Sequence, residues 1–323
     1  MAPKLAVTLL VLVAASTACS SGRERQDPPL DEGTAAAVEL PPELAGRELA
    51  FSRGDETASD IYVARTDGSS IRQVTRGAGV KYDPDWSPDG TRIVYRFEPA
   101  GSRLSSIRVV NADGSGDYDL GRPAGLLGMG PAWSPDGARI AFAGARGPRD
   151  RPAGIYLVDP NGSNPVRLTP KTIEAQYPAW SPDGRRIAFS GVARGGFDLY
   201  VVNADGSQLR RLTRTPEAEN WPMWSPDGRR IAFHVEAGAS PSLGVIAANG
   251  SARGVIAFSP AIEPAPDCGV PGNWTPARRI LINCTVAGGR IGIGALAADG
   301  GEFHVLLRGA DAGFPALRPD PRG

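Results

Sequence analysis

"WPMWSPDGRRIAFH", residues 221–234, sets a tryptophan, a proline–aspartate–glycine turn and a run of β-formers in one phrase. It returns as "DPDWSPDGTRIVY" (83–95), "GPAWSPDGARIAF" (130–142) and "YPAWSPDGRRIAF" (177–189). Each turn residue has its own physical reason. Proline presets φ for the second turn position, aspartate hydrogen-bonds its own backbone, and glycine accepts a positive φ. The "PAW" before the turn is short and apolar, and the "RIAF" after it alternates like a strand with one packed face. The phrase therefore reads as a tight β-hairpin. Trp86, Trp133, Trp180 and Trp224 share one place in the first strand, where a large ring fills space between neighbouring sheets. A row of stacking rings for sugars or bases is the alternative, but a residue repeated in every unit answers first to packing.

The tryptophans lie 47, 47 and 44 residues apart, and Trp274 follows 50 residues later in the worn copy "GNWTPARRILI". Leu317 takes the same place in "FPALRPDPRG". A period of about 40–50 residues holding four short strands is the pattern of β-propeller blades. One unit shows all four: "YPAW" (177–180), "RRIAFS" (185–190), "FDLYVV" (197–202) and "LRRLT" (209–213), the last two joined by the Asp-Gly hairpin "NADGS". Related turns recur as "RTDGSS", "NADGSG" and "DPNGSN", and more loosely as "AANGSA" and "AADGGE".

The ends of the array are complementary. "RELAFS" (47–52) matches "RRIAFS" but lacks a "PAW" strand before it, and "FPAL" (314–317) matches "PAW" with no second strand after it. The expected fold is all-β: a six-bladed propeller of four-stranded blades, closed by a C-terminal inner strand that joins three N-terminal strands and leaves no open sheet edge.

The motif "WSPDG…IAF…DLYVVNADGS…RLT" resembles the PD40 (WD40-like) repeats of TolB-type propellers over roughly residues 47–320. The resemblance implies fold far more than activity, because propellers host many unrelated functions. TolB itself carries an α/β domain ahead of its propeller, where this chain has a linker.

The N-terminus reads as an export signal over 1–18. "MAPKLAVTLLVLVAASTAC" has one early lysine, an apolar run too short to span a bilayer, and small residues leading to Cys19. Those residues resemble a bacterial lipobox with Ser16 in the usual leucine place, which implies that Cys19 is lipidated. An ordinary cleaved signal peptide is the alternative. Residues 19–46 are polar, Pro- and Ala-rich and unpatterned, and are expected to act as a flexible tether spanning roughly 28 Å. The propeller is then 47–323, extracytoplasmic and held at the bacterial cell membrane through its lipid.

With 35 basic and 35 acidic residues the formal net charge is zero, which argues against a nucleic-acid partner. Besides Cys19 there are two cysteines, Cys268 and Cys284, expected either to form a disulfide in an exported protein or to remain two separate buried thiols. The chain has only two histidines, His234 at the end of a second strand and His304 in an outer strand, expected to face solvent. There is no HExxH or CxxC spacing and no GxSxG elbow, so no metal or cofactor is expected. Asp89, Asp136, Asp183 and Asp227 invite a calcium reading, but each already serves its own turn and EF-hand spacing is absent.

In an up-and-down blade, the "SPDG" and "DGS" turns fall on one rim. The loops between second and third strands and between blades fall on the other, and irregular loops on a rigid scaffold are where binding residues lie. Those loops are 53–60, 96–106, 145–154 and 191–197. The expected binding residues at this rim are Tyr82, Asp83, Met129, Tyr177, Trp221 and Phe314, with Arg96, Arg149 and Arg194 placed to hold an acidic partner or a terminal carboxylate. Tyr177 and Trp221, at equivalent positions just before the inner strand, lead this set. The expectation is a non-enzymatic module that binds an envelope protein or peptide. A carbohydrate-active or other hydrolytic enzyme using loop carboxylates and a structural scaffold of an envelope complex are the rival readings.

Overall fold

The computed structural model describes residues 40–320 apart from 56, 103, 122–124, 148–152, 193–195, 237–241, 257–267, 277, 287–289, 298–302 and 308–311. The signal segment, Cys19 and most of the tether lie outside the described residues. Six four-stranded antiparallel sheets form the six blades. The inner strands are Ala312–Leu317 for blade 1, Val80–Trp86, Leu127–Trp133, Glu174–Trp180, Ala218–Trp224 and Cys268–Trp274. The second strands are Glu48–Gly54, Arg92–Glu98, Ile140–Ala145, Arg186–Val192, Arg230–Glu236 and Arg279–Val286. Among the described residues there is no helix, and none long and apolar enough to cross a membrane.

Blade 1 closes the ring as its complementary ends require. Ala312–Leu317 pairs antiparallel with Glu48–Gly54, matching Leu49 to Leu317 and Ala50 to Ala316. Arg318 locks the joint: its backbone N–H donates to the Glu48 carbonyl at 2.8 Å, and its guanidinium bonds the Glu48 carboxylate. That guanidinium also lies over the Trp86 ring, 5.2 Å from the centroid.

The second strands are packed on both faces, not one. Ile187, Ala188 and Phe189 are all fully buried, because each blade lies between two others. The core clusters accordingly mix neighbours: Val94, Ile107 and Val109 of blade 2 pack with Trp133, Ile140 and Phe142 of blade 3. The outer strands are shorter than the sequence implies. In blade 4 only Arg210–Arg211 pairs, after which Leu212 turns inward and the Thr213 hydroxyl accepts the Leu199 N–H at 2.9 Å.

The repeated phrase is structural. Trp224 donates its indole N–H to the Ala179 carbonyl of the preceding inner strand at 3.1 Å, and Trp180 and Trp86 do the same to Ala132 and Ala316. The first arginine of a second strand covers the tryptophan of the next blade: Arg92 over Trp133 at 4.8 Å, Arg186 over Trp224 at 4.5 Å and Arg230 over Trp274 at 5.5 Å. In the turns, Ser134, Ser181 and Ser225 donate to Asp136, Asp183 and Asp227. Those hydroxyls, with the backbone N–H groups that follow, hold the three carboxyls below the usual range. The aspartates cap their own turns.

The packed unit begins upstream of residue 47. Leu44 is fully buried with Leu49, Phe51, Leu281 and Leu317, and Leu40 packs beside it. Glu43 pairs with Arg279 at 3.1 Å, and Thr66 donates to the Leu44 carbonyl. Residues 40–46 thus seal the seam between blades 6 and 1.

Candidate functional site

A local irregularity in the inner strands builds the site. In blade 4, Gln176 pairs with Ser190 and Ala179 with Ala188, so Tyr177 and Pro178 together oppose Phe189. The same two-against-one bulge sets Trp221–Pro222 against Phe233, Asp83–Pro84 against Tyr95, and Gly130–Pro131 against Phe142. Proline has no N–H to give the ladder, so the strand gives way there, and a bulge bends the strand and re-aims its side chain. Tyr177 and Trp221 consequently sit within their inner strands, not ahead of them.

The residue before each proline is left-handed: φ is 50° at Asp83, 51° at Tyr177 and 50° at Trp221, with glycine at the fourth position, Gly130, at 57°. Glycine adopts this conformation without penalty, whereas for bulky aromatic residues it is an outlier. Backbone strain of this kind clusters where a side chain is held for function.

These bulges line an axial cavity of roughly 270 Å³, whose wall comes from all six inner strands: 83–85, 130–133, 177–180, 221–224, 272–274 and 315–316. The structural tryptophans therefore also contribute to the channel wall. In the wall of this cavity, the Tyr177 and Trp221 rings meet with centroids 4.9 Å apart, and His234 meets Trp221 edge-on at 5.3 Å. Arg96, cross-strand from Tyr82, lies over the Tyr82 ring at 5.5 Å and pairs with Glu98.

Two aspartates project into this wall. Asp85 accepts the Trp133 backbone N–H of the next blade at 2.8 Å, and Asp83 accepts that of Gly130. Both are enclosed by protein while keeping a face on the channel. Burial pushes each up to about 6; at Asp83 the nearby Arg96 charge opposes the rise and Glu98 adds to it. Burial, helped by the Asp83 charge, pushes the Tyr177 hydroxyl up to about 12. Burial also lowers the His234 imidazolium and favours the neutral ring, with Glu236 opposing.

Several buried polar atoms near the bulges lack a hydrogen-bond partner: Asp83 Oδ2, Arg96 Nε, Ser190 Oγ, Asn220 Oδ1, His234 Nδ1 and Asn283 Oδ1, while Trp221 Nε1 has the Tyr177 hydroxyl beside it. An unmatched buried polar atom costs about 1–3 kcal/mol, so this group carries a polar cost just behind the cavity wall.

Of the residues expected at the rim, Asp83, Tyr177 and Trp221 line the cavity, whereas Tyr82, Arg96 and Met129 stand next to the bulges outside its lining, Met129 against a core cluster. Phe314 holds the equivalent place before Pro315 in the closing strand. Arg149 and Arg194 lie outside the described residues. His304, expected to face solvent, is half-buried in its strand. Cys268 and Cys284 fall directly opposite one another in the register of blade 6.

His234 and Ser190 are buried beside the bulges, behind the cavity lining, and were not among the expected residues. Their signal is a column: the fifth position of each second strand reads Ser52, Arg96, Ala143, Ser190, His234 and Asn283, while the third reads Ala50, Val94, Ala141, Ala188, Ala232 and Leu281. The column stands cross-strand from the residue that precedes a bulge, as Ser190 does from Gln176 and His234 from Asn220. Among the described residues, no group of three His, Cys, Asp or Glu side chains is placed to hold a metal ion.

The architecture is that of a six-bladed propeller with a bulge-lined axial channel. Residues 99–322 match the family model of the TolB β-propeller domain (PD40), and the chain belongs to that family. A comparison with curated proteins finds no match. Among solved structures, TolB from Acinetobacter baumannii is similar at 19% identity and TM-score 0.68, over 87% of this chain and 68% of that one. The putative TolB from Agrobacterium tumefaciens follows at 20% identity and TM-score 0.63, over 84% of this chain and 98% of that one. An oligogalacturonate lyase in complex with manganese is more distant, at 17% identity and TM-score 0.52, over 81% and 75%.

Proposed function

We propose that this chain is a lipid-anchored, extracytoplasmic binding module that receives a protein or peptide segment at the loop-side mouth of its channel. The observation that carries this is the Tyr177–Trp221 pair, two contacting rings held on left-handed backbone at the channel wall. Rigid aromatics at an opening anchor partners at low entropic cost. The signal-like segment and the lipobox-like residues before Cys19 support this location.

The reading assigns no catalytic role. Asp83 and Asp85 both serve as acceptors for the next blade's backbone, which favours a staple over a free acid–base pair.

The test is crosslinking in intact cells, comparing the native chain with a Tyr177→Ala/Trp221→Ala variant. A partner captured by the native chain and lost in the variant is expected; equal capture by both removes the mouth from the reading. Separately, Cys19→Ser should release the protein from membranes, and unchanged retention overturns the anchor.

A further inference from the structure

We infer that the channel mouth is a socket for a cationic side chain, a lysine or arginine presented by the partner segment. This rests on the binding reading above and names the chemistry of its ligand. It also departs from the expectation that the rim arginines would hold an acidic group.

Among the described residues, the charges around the cavity are unbalanced, its lining holding the carboxylates Asp83 and Asp85. Asp83 and Glu98 face Arg96, and Glu236 stands beside the neutral Tyr177 and His234 on the neighbouring blade. Arg96 is already engaged with Glu98 and stacked on Tyr82. One guanidinium thus serves two carboxylates, while Glu236, among the described residues, takes an amide donor from Asn220 at 3.3 Å. Asp85 adds a further carboxylate below.

Most of the unmatched atoms beside the rings can accept a hydrogen bond, the donors among them being Arg96 Nε and Trp221 Nε1. Asn220 is 5% exposed, and because its amide nitrogen donates to Glu236, the atom left unmatched is its oxygen, an acceptor. His234 is 7% exposed, with Nδ1 unmatched where its ring meets Trp221 at the channel wall. Ser190 is fully buried with a free hydroxyl, and Asp83 Oδ2 can only accept. Acceptors beside an aromatic pair are the complement of an ammonium or guanidinium, which ring faces attract and carboxylates neutralise. A cavity of roughly 270 Å³ suits one long side chain rather than a folded element.

The probe is a set of capped pentapeptides, acetyl-Gly-Ser-X-Ser-Gly-amide, with X lysine, arginine, norleucine or glutamate, titrated calorimetrically into the full chain. Lysine or arginine should bind about tenfold or more tighter than norleucine near pH 7.5, and lose about tenfold near pH 5 as Asp83 is protonated. Asp83→Asn, which keeps an acceptor for Gly130 and tolerates the left-handed backbone, should lose about tenfold, and exposed Glu236→Gln should lose less. Equal binding of norleucine, preference for glutamate, or no binding by the cationic peptides overturns the inference. Crosslinking separates the two readings. A partner lost in Tyr177→Ala/Trp221→Ala but retained by Asp83→Asn and uncompeted by the lysine peptide leaves the binding module standing and removes the cation socket.

Discussion

Tyr177 and Trp221 occupy the same bulge position of adjacent inner strands, with φ of 51° and 50° and ring centroids 4.9 Å apart. Gly130, one blade earlier, holds that position without strain at φ 57°. One scaffold position therefore carries glycine where nothing protrudes and an aromatic ring where the channel is narrowed.

Tyr177→Gly separates strain from contact. Glycine relieves the left-handed penalty of about 1–2 kcal/mol, while losing the ring pair removes about 0.5–1.5 kcal/mol plus burial. The glycine variant is expected to melt close to the native protein and about 1 kcal/mol above Tyr177→Ala, which loses the ring and keeps the strain. Both should lose partner capture. Denaturant unfolding checks the order, and an alanine variant as stable as the glycine one removes the strain argument.

Asp85 gives stability a definite pH slope. Its folded value of about 6 lies above the ordinary 3.8, so between these values the folded state holds more proton than the unfolded. Its contribution is greatest below about pH 4, falls as pH rises to about 6 and then levels off. Asp85→Asn should remove this loss. Because Asp85 keeps a face on the channel, the expected gain at neutral pH is about 1–2 kcal/mol relative to native, vanishing near pH 4. Unfolding curves at both pH values read it, and a pH-independent difference contradicts it.

The blades and their closure were legible because each depends on local chemistry: the "SPDG" turn, the tryptophan and the complementary ends "RELAFS" and "FPAL". The mouth was partly legible. Tyr82, Asp83, Met129, Tyr177 and Trp221 flank a motif whose register the repeat fixes. His234 and Ser190 were not, because their role comes from a ring of six strands that no single repeat displays. Leu44 was hidden for a related reason: one leucine in a polar stretch has no period, and only the seam between first and last blades gives it a partner.

That seam makes Leu44→Ala informative. A fully buried leucine truncated to alanine costs about 2–5 kcal/mol, whereas a leucine in a flexible tether costs nothing. Arg318→Ala should cost about 1–3 kcal/mol, since it leaves Glu48 only the more distant Arg72, at 4.0 Å, and uncovers Trp86. Removing residues 314–323 deletes the inner strand of blade 1 and should abolish cooperative melting. A truncated protein with native melting refutes ring closure by this strand.

Blade 6 supplies the last test. Cys268 and Cys284 are cross-strand partners on neighbouring antiparallel strands. Directly opposed residues in such ladders have Cα atoms about 4.5–5.5 Å apart, within the span a disulfide bridges. In an exported protein the pair is expected to be oxidised, so the mature chain should show no free thiol from these residues until reduced, and mass spectrometry should find a peptide joining them. The bond would close a loop of about 15 residues, worth about 3 kcal/mol in the chain-entropy account. Cys268→Ser/Cys284→Ser should lower stability by up to that amount. Two alkylatable thiols in the unreduced protein, or a double variant with native stability, would assign the pair to packing alone.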